Sequence, residues 1–206
     1  MKPLPRAAAS CLMGLATWLA AGCADPPTRF YSLLAAPAAS AAGPAQIQAL
    51  AGAPRWELMP VTIPAQVDQP QMVVRQGDGT LAVLEFDRWV APLGDEIHAA
   101  LAERIAAAMA GAPAGAGGAR WRLEVAIERF DSAPGRYAHL EAGWTLAQVG
   151  GPSLRCHGVF DEAVGPGLVA LAAAQRANVA RLGETLAGAL RAAVGGAAPA
   201  CSPAGS

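Results

Sequence analysis

Lysine, aromatic residues and charge are all scarce in this chain of 206 residues, and two of these shortages exclude classes of protein. The only lysine is Lys2. Without it and Arg6, which belong to an N-terminal targeting segment, 13 basic residues face 16 acidic ones, a net charge near −3. This balance argues against a nucleic-acid binder that works by neutralising phosphates. Charged residues make up 15% of the chain and hydrophobic residues 53%, which excludes a fully disordered protein.

The first 23 residues have the layout of a bacterial secretory signal. After two basic residues, positions 11–21 form an uncharged apolar stretch that is too short for a comfortable transmembrane helix. Residues 19–23, LAAGC, resemble the lipobox of bacterial lipoproteins, in which the cysteine becomes the mature N-terminus and carries the lipid. We therefore predict a lipoprotein signal peptide over residues 1–22 and lipidation of Cys23. The alternative is an ordinary signal peptide in which the cysteine is incidental.

A lipid anchor determines where the protein is expected to lie. The chain has no second apolar run of transmembrane length, so the anchored protein would be attached to one leaflet. Ala24 follows the lipidated cysteine, and by resemblance to the sorting of enterobacterial lipoproteins this favours the outer membrane, facing the periplasm. Residues 23–29 form a polar, proline-containing tether with a reach of about 20 Å when extended.

The rest of the chain predicts one compact α/β domain over residues 30–194, with a mixed β-sheet packed by two main helices. Residues 35–54 and 111–119 are rich in Ala, Gly and Pro and are predicted loops, and residues 195–206 are a predicted disordered tail. Periodicity predicts short strands at 30–34 and 56–63, a hairpin over 71–86, a helix from 93 to about 110, a three-stranded antiparallel meander over 121–160, and a helix over 168–194.

Several stretches match the pattern of a known family. They are FYSL at 30–33, PVTIP at 60–64, VDQPQMV at 67–73 and RWVAPL at 88–93. Together they resemble the PqiC-type family of ABC-type transport auxiliary lipoproteins, which partner MCE proteins. One departure is Asp-Gln-Pro-Gln, where the family more often has Asp-Arg-Pro-Gln. The resemblance implies an α/β lipoprotein that serves an MCE system moving lipids between the two membranes.

Catalytic motifs are absent from the sequence: it has no HExxH, CxxC, GxSxG or phosphate-binding loop. The histidines His98, His139 and His157 fall on a helix and two separate strands, so we predict neither a metal nor a cofactor. We predict a non-catalytic subunit that docks an MCE-domain protein, forms a homo-oligomer and binds no nucleic acid. Alternatives are a lipid-binding carrier with an acyl-chain cavity, and a structural envelope lipoprotein.

Four further residues are candidate sites. Arg88 and Trp89 precede the first helix, where they either stabilise the junction of sheet and helix or form exposed interface anchors. Cys156 and Cys201 remain after Cys23 is lipidated. The oxidising periplasm permits a disulfide between them that would tie the tail to the last strand, and the sequence leaves this pairing open.

Overall fold

The structure is a computed structural model that describes residues 26–34, 55–110, 112 and 119–201. The predicted signal peptide, Cys23 and the predicted loop at 35–54 lie outside these residues. In chain order the elements are β1 (Arg29–Tyr31), β2 (Arg55–Leu58), β3 (Gln71–Arg75), β4 (Leu81–Trp89), α1 (Leu93–Met109), β5 (Arg120–Ala133), β6 (Tyr137–Gln148), β7 (Ser153–Ala163) and α2 (Leu168–Val194).

The α/β class with two main helices is confirmed, and the strands divide between two sheets instead of joining in one. The smaller sheet has the order β1-β4-β3 and the larger has β2-β5-β6-β7. Both sheets are mixed, because β1 and β2 pair in parallel with β4 and β5 while the other pairs are antiparallel. Strands β3 and β5 approach each other through side chains, with Arg75 Nε 2.8 Å from Asp131 Oδ2.

The two helices pack on the larger sheet and on each other, and His98 Nε2 of α1 lies 3.3 Å from the backbone oxygen of Leu58 in β2. Helix α2 packs against β5, β6 and β7, and α1 packs on α2. The spacing of four residues in α1 places Leu93, Ile97, Leu101 and Ile105 in the core, as the sequence predicts. At Gly183 a Cβ would lie 2.9 Å from Arg104 Cγ, so glycine is required for the close approach of the helices. No described helix has the length and apolar character needed to cross a membrane.

The two faces of the larger sheet differ as the alternation of the meander predicts. The face under α2 is apolar and includes Leu123, Val125, Leu140, Ala142, Trp144 and Leu146, each at most 3% exposed. The opposite face, which we call the open face, is lined by residues that alternate with these along β5, β6 and β7. Its residues include Glu124, Ala126, Glu128, Glu141, Gly143, Thr145, Arg155 and His157.

Residues on both sides of the predicted domain range make contacts with it. Arg29, predicted in the tether, lies in β1, where its Nε and Nη2 donate to the Asp87 carboxylate at 2.8 and 3.0 Å. This bidentate pair explains why the domain begins before residue 30. Residues 195–201 of the predicted tail are also described, and Cys201 is bonded to Cys156 of β7. Residues 202–206 lie outside the described part of the chain.

Candidate functional site

The open face carries a cleft of about 840 Å³. Two small residues, Ala126 of β5 and Gly143 of β6, pair with each other in its floor. His157 of β7 lies next to Gly143 on the other side. Met59, Pro60 and Thr62 border it along the outer edge of β5, where Thr62 N donates to Val125 O at 3.2 Å. Its ionisable lining residues are Glu124, Glu128, Arg155 and His157. A cleft with ionisable groups on its lining therefore lies on the side of the sheet away from the helices.

Strand register brings together polar residues that are far apart in sequence. His157 Nε2 lies 3.1 Å from Glu141 Oε1 and 3.4 Å from Glu128 Oε2. His139 occupies the neighbouring strand and also faces Glu141, with Nε2 and Oε2 3.8 Å apart. Sequence reasoning placed the two histidines on neighbouring strands of the meander, as they are, and missed that both rings lie on one face beside Glu141.

Two buried aspartates make ionic contacts between strands. Asp131 of β5 joins the larger sheet to the smaller one, and Asp87 of β4 holds strand β1. Burial opposes the charge on Asp131, but hydrogen bonds from Arg75 and Arg129, together with their charges, outweigh it and lower the pKa of Asp131. The hydrogen bond from Arg75 to Asp131 also raises the pKa of Arg75. Asp87 accepts a hydrogen bond from Tyr31 Oη at 3.0 Å. Burial, followed by this hydrogen bond, raises the pKa of Tyr31. These ionic contacts hold strands in place.

Of the two predicted interface residues, Trp89 is corrected by the structure. Its side chain is only 4% exposed and packs edge-to-face on Phe130, with ring centroids 6.2 Å apart. A buried ring cannot serve as an exposed anchor, because it already fills the junction between the smaller sheet and β5. Arg88 is partly exposed, and its Nε donates to the backbone oxygen of Glu85 at 3.3 Å. Its role at an interface stays a prediction.

The two remaining cysteines form a disulfide in the structure. The Cα atoms of Cys156 and Cys201 are 5.5 Å apart, which is within the usual range for a bonded pair. Cys156 pairs with Trp144 across β6 and β7, and Cys201 lines the cleft. The disulfide therefore brings the end of α2 and the segment after it back to the sheet beside the cleft.

Residues 31–187 match the sequence model of a protein family, the ABC-type transport auxiliary lipoprotein component. The chain belongs to this family, which confirms the family resemblance. The protein is thus a transport auxiliary lipoprotein, with an α/β domain that spans the matched residues.

Two solved structures match this chain at low sequence identity. The crystal structure of an uncharacterized protein matches with a TM-score of 0.62 and 14% identity, covering 79% of this chain and 97% of that one. A DUF330 family protein from Xanthomonas campestris matches with a TM-score of 0.49 and 19% identity, covering 66% of this chain and 83% of that one. No curated protein matches the sequence significantly. At 14% identity the first likeness concerns the fold alone.

Proposed function

We propose that this transport auxiliary lipoprotein is a non-catalytic subunit that docks an MCE-type lipid-transport complex at the outer membrane. A lipid on Cys23 would hold it on the periplasm-facing leaflet, with residues 23–29 as a short tether. Confinement to one leaflet raises the effective concentration of a partner, so modest contacts are enough, and self-association would multiply them. The observation that carries the proposal is the open face of the larger sheet in a member of a transport auxiliary family.

The chemistry of the open face suits a protein partner. A large partner side chain would find room above Ala126, a small, exposed residue at the centre of the cleft. Charged side chains of both signs surround this centre, including Glu124 and Arg155. An accessible apolar centre with a polar rim is the usual anatomy of a protein interface, in which one or two inserted side chains supply most of the affinity.

The same geometry disfavours the lipid-carrier alternative. A carrier needs an enclosed, mostly apolar cavity that removes the acyl chain from water. The cleft on the open face is broad and carries Glu124, Glu128, Arg155 and His157 on its lining. An acyl chain lying there would remain partly in water and would desolvate charged groups. Docking of a protein therefore fits this surface better.

The contacts of the three histidines support a non-catalytic role. His98 Nε2 lies 3.3 Å from the backbone oxygen of Leu58, and His139 and His157 face carboxylates. Across the described ranges, none of these rings hydrogen-bonds to a serine or cysteine side chain. The pairing of nucleophile and base that acyl-transfer chemistry uses is therefore not formed by these side chains.

Co-purification from membranes tests the docking proposal. Tagged full-length protein is purified from a strain that encodes an MCE protein beside it, in the wild-type form and as Thr145→Arg and Val169→Arg. Thr145 lies in the cleft, whereas Val169 is 76% exposed on the first turn of α2. We expect wild type and Val169→Arg to recover the MCE protein and Thr145→Arg to lose most of it. Equal recovery by all three, or none by a strictly monomeric wild type, would contradict the proposal.

The anchor is tested separately by Cys23→Ser. Without the thiol, the lipid cannot be attached, so we expect an unprocessed or soluble form in cell fractionation. Mass spectrometry of the wild-type N-terminal peptide should show acyl chains on residue 23. Equal membrane retention of the variant, together with an unlipidated wild-type peptide, would refute the anchor.

A further inference from the structure

We infer that Glu128, Glu141 and His157 on the open face form a binding site for a divalent transition-metal ion, represented by Zn²⁺. One ligand atom from each side chain lies within 4.8 Å of the other two. The inference goes beyond the docking role and does not depend on it. It also departs from the sequence analysis, which predicts no metal site because His139 and His157 belong to separate strands.

The donor set matches the preferences of such an ion. Two carboxylate oxygens and one imidazole nitrogen are typical zinc ligands, and three protein ligands with an open position are typical of accessible zinc sites. The side chains of Glu128, Glu141 and His157 are 52%, 32% and 47% exposed, so water or an oxygen donor of another molecule could complete the coordination. The solvent-facing side is thus available for a fourth ligand.

A β-bulge aims Glu128 at the site. The register of β5 against β6 shifts between Ile127, which pairs with Ala142, and Arg129, which pairs with Glu141. Glu128 is the extra residue, with no partner on β6, and both Glu128 and Arg129 are exposed. Bulges of this kind redirect a side chain and are common beside functional sites.

Gly143 provides the space into which this carboxylate turns. A Cβ built on Gly143 would lie 2.6 Å from Glu128 Oε1, closer than real Cβ atoms approach an oxygen. The missing side chain at this central strand position therefore lets the carboxylate lie against the sheet beside His157. Glycine weakens a strand interior, and its presence there often marks a close approach of this kind.

The charge around the two carboxylates favours a bound cation. Among the described residues, the only basic groups that form ion pairs with Glu128 or Glu141 are His139 and His157. Arg129 pairs with Glu141 in the strand register, but its Nη2 lies 2.9 Å from Asp131 Oδ2 and is engaged there. Two carboxylates thus converge on one imidazole without a permanent positive charge between them.

His139 acts as a positioning residue for Glu141. Its Nδ1 lies 2.7 Å from Asp161 Oδ1, so Asp161 fixes the orientation of the ring beside Glu141. The Nε2 atom of His139 is buried without a hydrogen-bond partner and lies 3.8 Å from Glu141 Oε2. Carboxylates and histidines behind the first ligands orient metal sites in this way.

Metal titration of the full-length lipoprotein in detergent micelles, purified without a histidine tag, tests the site. Zn²⁺ is titrated in competition with a chromophoric chelator, and Co²⁺ serves as a spectroscopic probe of the ligands. We expect one Zn²⁺ per chain and a Co²⁺ visible spectrum that changes in His157→Gln. Removing a group that orients a metal ligand typically costs at least about 10-fold in affinity, so we expect a loss of that size in His139→Gln. Glu128→Gln and His157→Gln should weaken binding at least as much.

Two further variants separate a built site from a merely acidic surface. Glu124→Gln removes a carboxylate from the same face outside the cluster, and its affinity for Zn²⁺ should equal that of wild type. Gly143→Ala keeps all three ligands but displaces Glu128, so it should weaken binding while circular dichroism stays unchanged. Absence of stoichiometric Zn²⁺ binding by wild type would overturn the inference. Wild-type affinity in Glu128→Gln and His157→Gln, or an equal loss in Glu124→Gln, would overturn it as well.

Discussion

The two faces of the larger sheet are built from the same three strands and have opposite chemistry. Under α2, rows of Leu, Val and Trp side chains are sealed from water, whereas the open face has small and charged residues around a cleft. The covered face is a packing surface in which volume matters most. The open face leaves its polar groups accessible, and there position and charge matter most. We therefore expect substitutions on the first to change stability and those on the second to change binding.

The largest expected effect comes from removing volume on the covered face. Leu140 of β6 is fully buried, so Leu140→Ala should lower the free energy of unfolding by about 3 kcal/mol. The matched variant Val159→Ala, on the open face of β7 and 48% exposed, should change it by less than about 0.5 kcal/mol. Urea unfolding of both proteins measures the difference. Similar losses for the two would mean that the faces do not differ as described.

The disulfide should have the next largest effect on the free energy of unfolding. It joins Cys156, a buried residue of β7, to Cys201, which lines the cleft. It closes a loop with a sequence separation of 45 and should contribute about 2 kcal/mol, as disulfides of small domains typically do. Cys201→Ser should show this loss in urea unfolding. Non-reducing peptide mapping of the purified full-length protein should recover one cross-linked peptide, and two freely alkylated thiols would refute the pairing.

A smaller, pH-dependent effect is expected at Asp131, where the two sheets meet. Because the folded-state pKa of Asp131 is lowered, its stabilising contribution is present above the ordinary value of 3.8 and is lost as the pH falls through the folded-state pKa. Asp131→Asn should cost about 1 kcal/mol at neutral pH, since both arginine partners are partly exposed. Wild type and variant should converge in urea unfolding at low pH. A constant difference down to acid would contradict this assignment.

The sequence predicts the covered face far better than the open one. Alternation along residues 121–127 identifies which side chains are buried, and the spacing of Leu93, Ile97 and Leu101 identifies the buried side of α1. Both patterns are local, so one segment is enough to read them. The cluster around His157 depends instead on the register of three strands and on a bulge at Glu128, which no local pattern reveals.

The division into two sheets was also beyond sequence reasoning. Hairpin and meander are each visible as local patterns, but their separation depends on how β3 meets β5 through Arg75 and Asp131. Trp89 shows the same limit. A tryptophan side chain suits either an interface or a core, and only the contact of Trp89 with Phe130 shows that it belongs to the core.

Site-specific photo-crosslinking in cells tests the central claim most directly. A photoreactive amino acid is placed at Thr145 in the cleft or at Val169 on α2, in the full-length protein of a strain that encodes an MCE protein beside it. Thr145 is partly exposed and Val169 is 76% exposed, so a crosslink from position 145 alone could not result from greater exposure. We predict a crosslink to the MCE protein from position 145 and none from position 169. Crosslinking from 169 alone, or from neither position, would contradict docking through the open face.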